Sequence, residues 1–168
     1  MRKTLLAVIA ATLTLTSAST AIARGGGWEP LPADPFDFDA CGSTLHIEFP
    51  ENKEFFKLIP QEDGTTLFKV TGTFKMTVTD VATGATLELV NVSGPGRSLI
   101  YPNGDFEFIA SGLNVLFLTA EQSAATGLPN VFVTSGSVDY LFRADGTVEV
   151  LDPGNIHTDI CAELAELA

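Results

Sequence analysis

Two cysteines, Cys41 and Cys161, bracket almost everything in this 168-residue chain that has the pattern of a folded body. If they are bonded to each other, the beginning and end of that body are spatial neighbours, because Cα atoms across a disulfide lie within about 7 Å. The closed loop is 120 residues long. In the chain-entropy model a loop of that size restricts the unfolded state by about 5 kcal/mol. A CxxC redox site is excluded by the spacing, and with two cysteines only one intramolecular pairing exists.

The N-terminus supports an oxidising destination for that bond. Arg2 and Lys3 precede an apolar run from Leu5 to Leu15, and Ala21-Ile22-Ala23 supplies the small residues of a cleavage site. Residues 1–23 are therefore expected to be a signal peptide. Cleavage near Ala23 would release a secreted, extracellular chain with no membrane anchor, since the later sequence holds no apolar run long enough to span a bilayer. One domain exhausts the remaining length.

The formal net charge is −12, with 9 Lys and Arg against 21 Asp and Glu. Such a surface is a poor partner for polyanions, and no basic patch that would displace counterions from nucleic acid is visible in the linear sequence. Residues 24–40 (RGGGWEPLPADPFDFDA) mix glycine, proline and acid without periodicity and read as a flexible N-terminal arm. Residues 41–168 read as a single β-domain.

From Thr44 onward the chain follows period two. Leu45, Ile47 and Phe49 alternate with His46 and Glu48, and Phe55–Ile59 is a less regular segment. Between Phe68 and Val78 one face carries Phe68, Val70, Gly72, Phe74, Met76 and Val78, the other Lys69, Thr71, Thr73, Lys75 and Thr77. This reads as one long strand bent at Gly72. Turn chemistry around Asp80–Gly84, Ser93–Gly96, Pro102–Asp105 and Ala144–Gly146 separates further strands at Leu87–Val92, Arg97–Tyr101, Phe106–Ala110, Leu113–Thr119, Val131–Thr134, Val138–Phe142 and Val148–Leu151. Leu113–Leu118 is apolar on both faces and so should be covered on its outer side. Only Asp159–Leu167 looks helical, with Ile160, Leu164 and Leu167 on one face.

The expected fold is all-β: an antiparallel meander closed into a calycin-like barrel of about 8–10 strands with a short C-terminal helix, or alternatively a two-sheet β-sandwich. A barrel of that size has room for packed side chains or one small ligand. Phe68, Gly72, Phe74, Phe106, Phe108 and Phe142 are the expected lining of an apolar pocket.

No catalytic constellation stands out, and no catalytic residue, metal site or cofactor is assigned. His46 and His157 lack a recognisable partner set, G-x-S-x-G is absent, and the cysteines, once bonded, cannot ligate zinc. Glu88, Glu107, Asp139 and Glu149 fall in strands, where two would have to face one cavity to do acid–base work. The leading expectation is a non-enzymatic binding protein for a small apolar ligand or an extracellular macromolecule. A cyclase- or isomerase-type barrel enzyme using Glu107 or Glu48 is the second. The third is an envelope-associated or inhibitor-like protein recognising its partner through the Glu121–Asn130 connection and the aromatic arm.

Val92-Ser93-Gly94-Pro95-Gly96, Pro102-Asn103-Gly104, Gly112-Leu113, Leu116-Phe117, Gly127-Leu128-Pro129 and Thr134-Ser135-Gly136 resemble a family of small secreted actinobacterial β-rich proteins with a terminal cysteine pair. The resemblance runs from about Cys41 to Cys161. It implies export and a β-domain, and brings no reaction with it. The architecture is more loosely similar to calycin-type and allene-oxide-cyclase-like barrels, a likeness of fold alone.

Overall fold

A computed structural model describes residues 27–168. The expected signal peptide and its cleavage point lie outside the described residues. Fourteen strands and two helices follow in the order β1 (Glu29–Pro30), β2 (Phe36–Ala40), β3 (Ser43–Asn52), β4 (Phe55–Pro60), β5 (Thr66–Thr71), β6 (Phe74–Asp80), β7 (Thr86–Val90), β8 (Gly96–Ile100), β9 (Phe106–Ser111), β10 (Asn114–Phe117), α1 (Ala120–Thr126), β11 (Val131–Ser135), β12 (Ser137–Phe142), β13 (Val148–Asp152), β14 (Asn155–Asp159) and α2 (Ile160–Leu167).

The strands form three open antiparallel sheets. Sheet A has the order β1-β4-β5-β8-β9-β12-β13, sheet B β2-β3-β6-β7 and sheet C β10-β11-β14. None closes on itself, which corrects the barrel expectation; what holds is a mostly β chain of antiparallel sheets with a short C-terminal helix. The strand count also exceeds 8–10. Two pieces of the segment read as an arm are paired strands, β1 on β4 and β2 on β3.

The difference from a barrel begins at Gly72. The stretch from Phe68 to Val78 is two strands in two sheets, β5 in A and β6 in B, and Gly72 at φ +121° is the corner between them. A Cβ there would run into the Lys53 carbonyl oxygen and the Glu54 Cα. Only glycine fits both the dihedral and the close approach. The neighbouring hairpin bends at the same place, so that β4 pairs with β5 in one sheet while β3 pairs with β6 in the other.

Sheet C is the middle layer. Val131 and Val133 of β11 pack with Leu45, Ile47, Met76, Val78 and Leu89 of sheet B and with Ile160 and Leu164 of α2, joined by Val115 and Phe117 of β10. Phe132, Leu116 and Leu118 point the other way, onto Ala110, Val138, Tyr140 and Phe142 of sheet A. The two-faced apolar pattern of Leu113–Leu118 thus has its expected cover on both sides. Phe38 of β2 meets Phe117 edge-on at 5.4 Å between ring centroids. Each fully buried side chain of this size contributes roughly 1.5–3 kcal/mol.

Polar groups inside the stack are satisfied. Thr134 Oγ1 donates to the Pro153 and Asn155 carbonyls at 3.0 and 3.2 Å, and Tyr140 Oη donates to the Pro153 carbonyl at 3.1 Å. Burial pushes the Tyr140 phenol up to about 12. The disulfide joins Cys41 to Cys161 across 5.2 Å between Cα atoms. Cys41 (φ 57°) and Gly42 (φ 74°) form the two-residue turn of the β2–β3 hairpin, a turn that needs positive φ at both positions. Asp159 caps α2 by accepting from the Cys161 and Ala162 amides. Leu167, expected on the apolar face of that helix, is exposed.

Candidate functional site on the outer face of sheet A

The six residues expected to line one pocket do not share one. Phe106, Phe108 and Phe142 belong with the sheet A–sheet C core, Phe74 with the sheet B–sheet C core, and Gly72 is the corner. Phe68 faces Phe56 at 5.8 Å between ring centroids, outside both cores. The rings that belong to the two cores pack on opposite sides of sheet C. The Glu121–Asn130 connection is mainly helix α1, closed by a reciprocal Thr119–Gln122 capping box.

Concave surface is found instead on sheet A, on the face turned away from sheet C. One depression of about 440 Å³ is lined by Gln61, Asp63, Thr65, Leu67, Arg97, Leu99, Tyr101 and Ile109. A second, of about 400 Å³, includes Trp28, Lys69, Pro95, Gly96, Ser111 and Ser137 and shares Arg97 and Ile109 with the first. Together they form a trough along β8, with Tyr101 at one end and Trp28, 49% exposed, at the other. Six residue steps from Pro95 to Tyr101 make it roughly 20 Å long.

Strand register dictates what lines this face, because directly opposed residues project to the same side. One row is Ile59–Leu67–Leu99–Glu107–Leu141, and the row beside it Lys57–Lys69–Arg97–Ile109–Asp139. Cations thus stand over β4, β5 and β8, and carboxyl groups over β9 and β12. Two of the strand acids singled out in the sequence, Glu107 and Asp139, are brought together here. Glu88 lies on β7 in sheet B, and Glu149 pairs with Arg143.

Tyr101 Oη donates to Glu107 Oε2, and that bond with the surrounding burial holds the phenol at about 12. Asp139 is pushed above the usual carboxylate range, first by burial and then by the neighbouring charge and hydrogen bond of Glu107. Its Oδ1 is buried without a hydrogen-bond partner. Burial and the adjacent negative charge of Glu107 both disfavour the ionised form of Asp139.

The remaining candidates are dispersed. His46 on β3 pairs with Asp37 at 2.6 Å and Glu48 at 3.7 Å on the exposed side of sheet B, and the Asp37 hydrogen bond raises its pKa. His157 contacts Thr158. Among the described residues no group of three or more His, Cys, Asp or Glu is placed to hold a metal ion, and no helix is long and apolar enough to cross a membrane. Sequence reasoning missed Arg97, Tyr101 and the lysines of β4 and β5. Their signal was available as alternation, but the register that aligns them was not.

Comparison with protein-family models, curated proteins and solved structures finds no match.

Proposed function

We propose that the chain is an exported, non-enzymatic binding domain that holds an extracellular partner in the trough along β8. The observation that carries this reading is the asymmetry of sheet A. Toward sheet C its side chains close a core, whereas the opposite face keeps two adjoining depressions and a mixed apolar, aromatic and charged lining with nothing packed over it among the described residues. Export is supported by the disulfide, which suits an oxidising compartment, and by the N-terminal sequence pattern.

The test is binding of an immobilised panel of glycans and peptides by the native protein and by the double variant Arg97→Glu/Leu99→Asp. Binding that the variant loses, with its thermal unfolding unchanged, supports the trough. A ligand bound equally by both proteins would place recognition elsewhere and sink the reading.

An enzymatic alternative has one specific observation in its favour: Glu107, which accepts from Tyr101, and Asp139, held above the usual carboxylate range chiefly by burial, stand on neighbouring strands of the trough face. Paired carboxyls in hydrolytic sites stand about 5–9.5 Å apart so that a scissile bond or a water fits between them. Here Glu107 and Asp139 face the same trough from neighbouring strands, β9 and β12. Turnover of any trough ligand that disappears in Asp139→Asn would favour this alternative over simple binding.

A further inference from the structure

Lys57, Lys69 and Arg97 are opposed in register on three successive strands, β4, β5 and β8, and project to the same face. Adjacent strands lie about 4.8 Å apart, so the three charges form a ladder about 10 Å long across the sheet. Like charges placed directly opposite each other destabilise a sheet. Acids stand nearby, Asp63 in the same depression and Asp139 at the far end of the row, where Arg97 acts on it electrostatically, yet among the described residues none of the three cations makes an ion pair, whereas Lys53, Lys75 and Arg143 all do. In a chain with 21 acids and only 9 Lys and Arg, three neighbouring cations without an ion-pair partner among the described residues are unexpected. They are also placed where the trough runs, since Lys69 and Arg97 line it.

The ladder's surroundings specify what kind of anion fits. β8 lies between β5 and β9, so its backbone hydrogen bonds are used within the sheet and an extended peptide cannot add as a further strand. Recognition therefore falls to side chains: Trp28 and Tyr101 as flat amphipathic platforms, and Gln61, Thr65, Ser111 and Ser137 as hydrogen-bonding groups. That combination suits sugar rings. The formal charge of −12 repels densely charged polymers such as nucleic acid at a distance. A polymer carrying one carboxylate per ring meets less of that repulsion, and the planar guanidinium of Arg97 matches a carboxylate in two-point contact.

We propose that Lys57, Lys69 and Arg97 form a carboxylate-reading ladder that makes the trough selective for acidic, uronate-bearing glycans. This rests on the trough being the binding surface, and it goes further by naming the class of ligand.

The experiment measures binding of polygalacturonate oligomers, the same oligomers methyl-esterified, and dextran sulfate to the full chain by calorimetry at low and high salt. Polygalacturonate is expected to bind and the neutral ester to bind at least tenfold more weakly. Lys69→Gln and Arg97→Gln should each weaken the acidic oligomer about fivefold, the scale of one exposed charge pair. The triple Lys57→Gln/Lys69→Gln/Arg97→Gln variant, which removes mutual repulsion and so keeps the fold, should lose about a hundredfold and with it the salt dependence. Equal binding of acid and ester, no binding of polygalacturonate, or binding of dextran sulfate alone would each overturn the ladder. Trp28→Ala separates the two readings. If it abolishes binding of an ester that binds as well as the acid, the trough stands and the ladder falls. If neither Trp28→Ala nor the glutamine variants change binding of polygalacturonate, the trough and the ladder both fall.

Discussion

Strands β11 and β5 carry three apolar residues each, yet they live in opposite circumstances. β11 (VFVTS) has four of its five residues buried, with Val131 and Val133 against sheet B and Phe132 against sheet A. β5 (TLFKVT) has none fully buried, although it is an interior strand with β4 and β8 on either side. Being inside a sheet and being inside the protein are therefore separate properties here. Stability is concentrated where sheet C is enclosed. The free faces, and the candidate site, are concentrated in the part of sheet A that no second layer covers.

The strongest way to break this contrast is to open the disulfide, which ties the sheet B hairpin to the helix that follows sheet C. Reduction, or the paired Cys41→Ser/Cys161→Ser change, should cost about 5 kcal/mol in urea unfolding. Hydrogen exchange should speed up most in β11 and β14. A uniform loss across β4 and β5 as well would show that the two regions unfold as one unit. Next in size is a matched pair of truncations. Phe132→Ala should cost about 3–5 kcal/mol, while Phe68→Ala in the open region should cost less than half as much. Equal costs would erase the distinction.

Gly72 couples the two regions, and replacing it probes the coupling itself. Gly72→Ala sets a side chain against the Lys53 carbonyl at a dihedral that L-residues avoid, so a loss of about 3 kcal/mol is expected, with sheets A and B both affected. The smallest effect is a pH dependence at the same corner. Glu54 is buried, and desolvation raises its pKa against the opposing effect of the Ser93 hydroxyl, which donates to it. The folded state then holds the proton more tightly than the unfolded state, whose glutamate titrates near about 4.3. Stability is fully present below that value and falls as pH rises through the folded pKa. Glu54→Gln should flatten this decline and raise the unfolding midpoint near neutrality. A decline that persists in the variant would assign it to another group.

Much of this was legible in the residues, and the failures have identifiable causes. The alternation in β3, β6, β9 and β12 reads directly, and so does the doubled apolar pattern of β10, because side-chain direction is a local property. The C-terminal helix reads from the spacing of Ile160 and Leu164, both of which are buried. Gly72 was recognisable as a bend, but whether a bend curves a sheet or ends it depends on what packs beyond, and that is not local. β2 went unread because Asp37, Asp39 and flanking prolines mask its Phe36–Phe38–Ala40 face. β14 (NIHTD) carries little apolar signal at all. The ladder is the clearest case of information that only register supplies. Lys57, Lys69 and Arg97 are 12 and 28 residues apart in sequence, and a formal net charge of −12 conceals them completely.

The bond between Cys41 and Cys161 has one more consequence, for what a protease can do to the chain. Any single cut in the 120 residues it spans, at the exposed Glu62-Asp63-Gly64 turn for instance, leaves both fragments attached to each other. A nicked molecule would migrate as one species until thiol is added, and its severed strands would remain at high effective concentration beside their partners. Damage that would scatter an unbridged meander becomes, in this one, a local break.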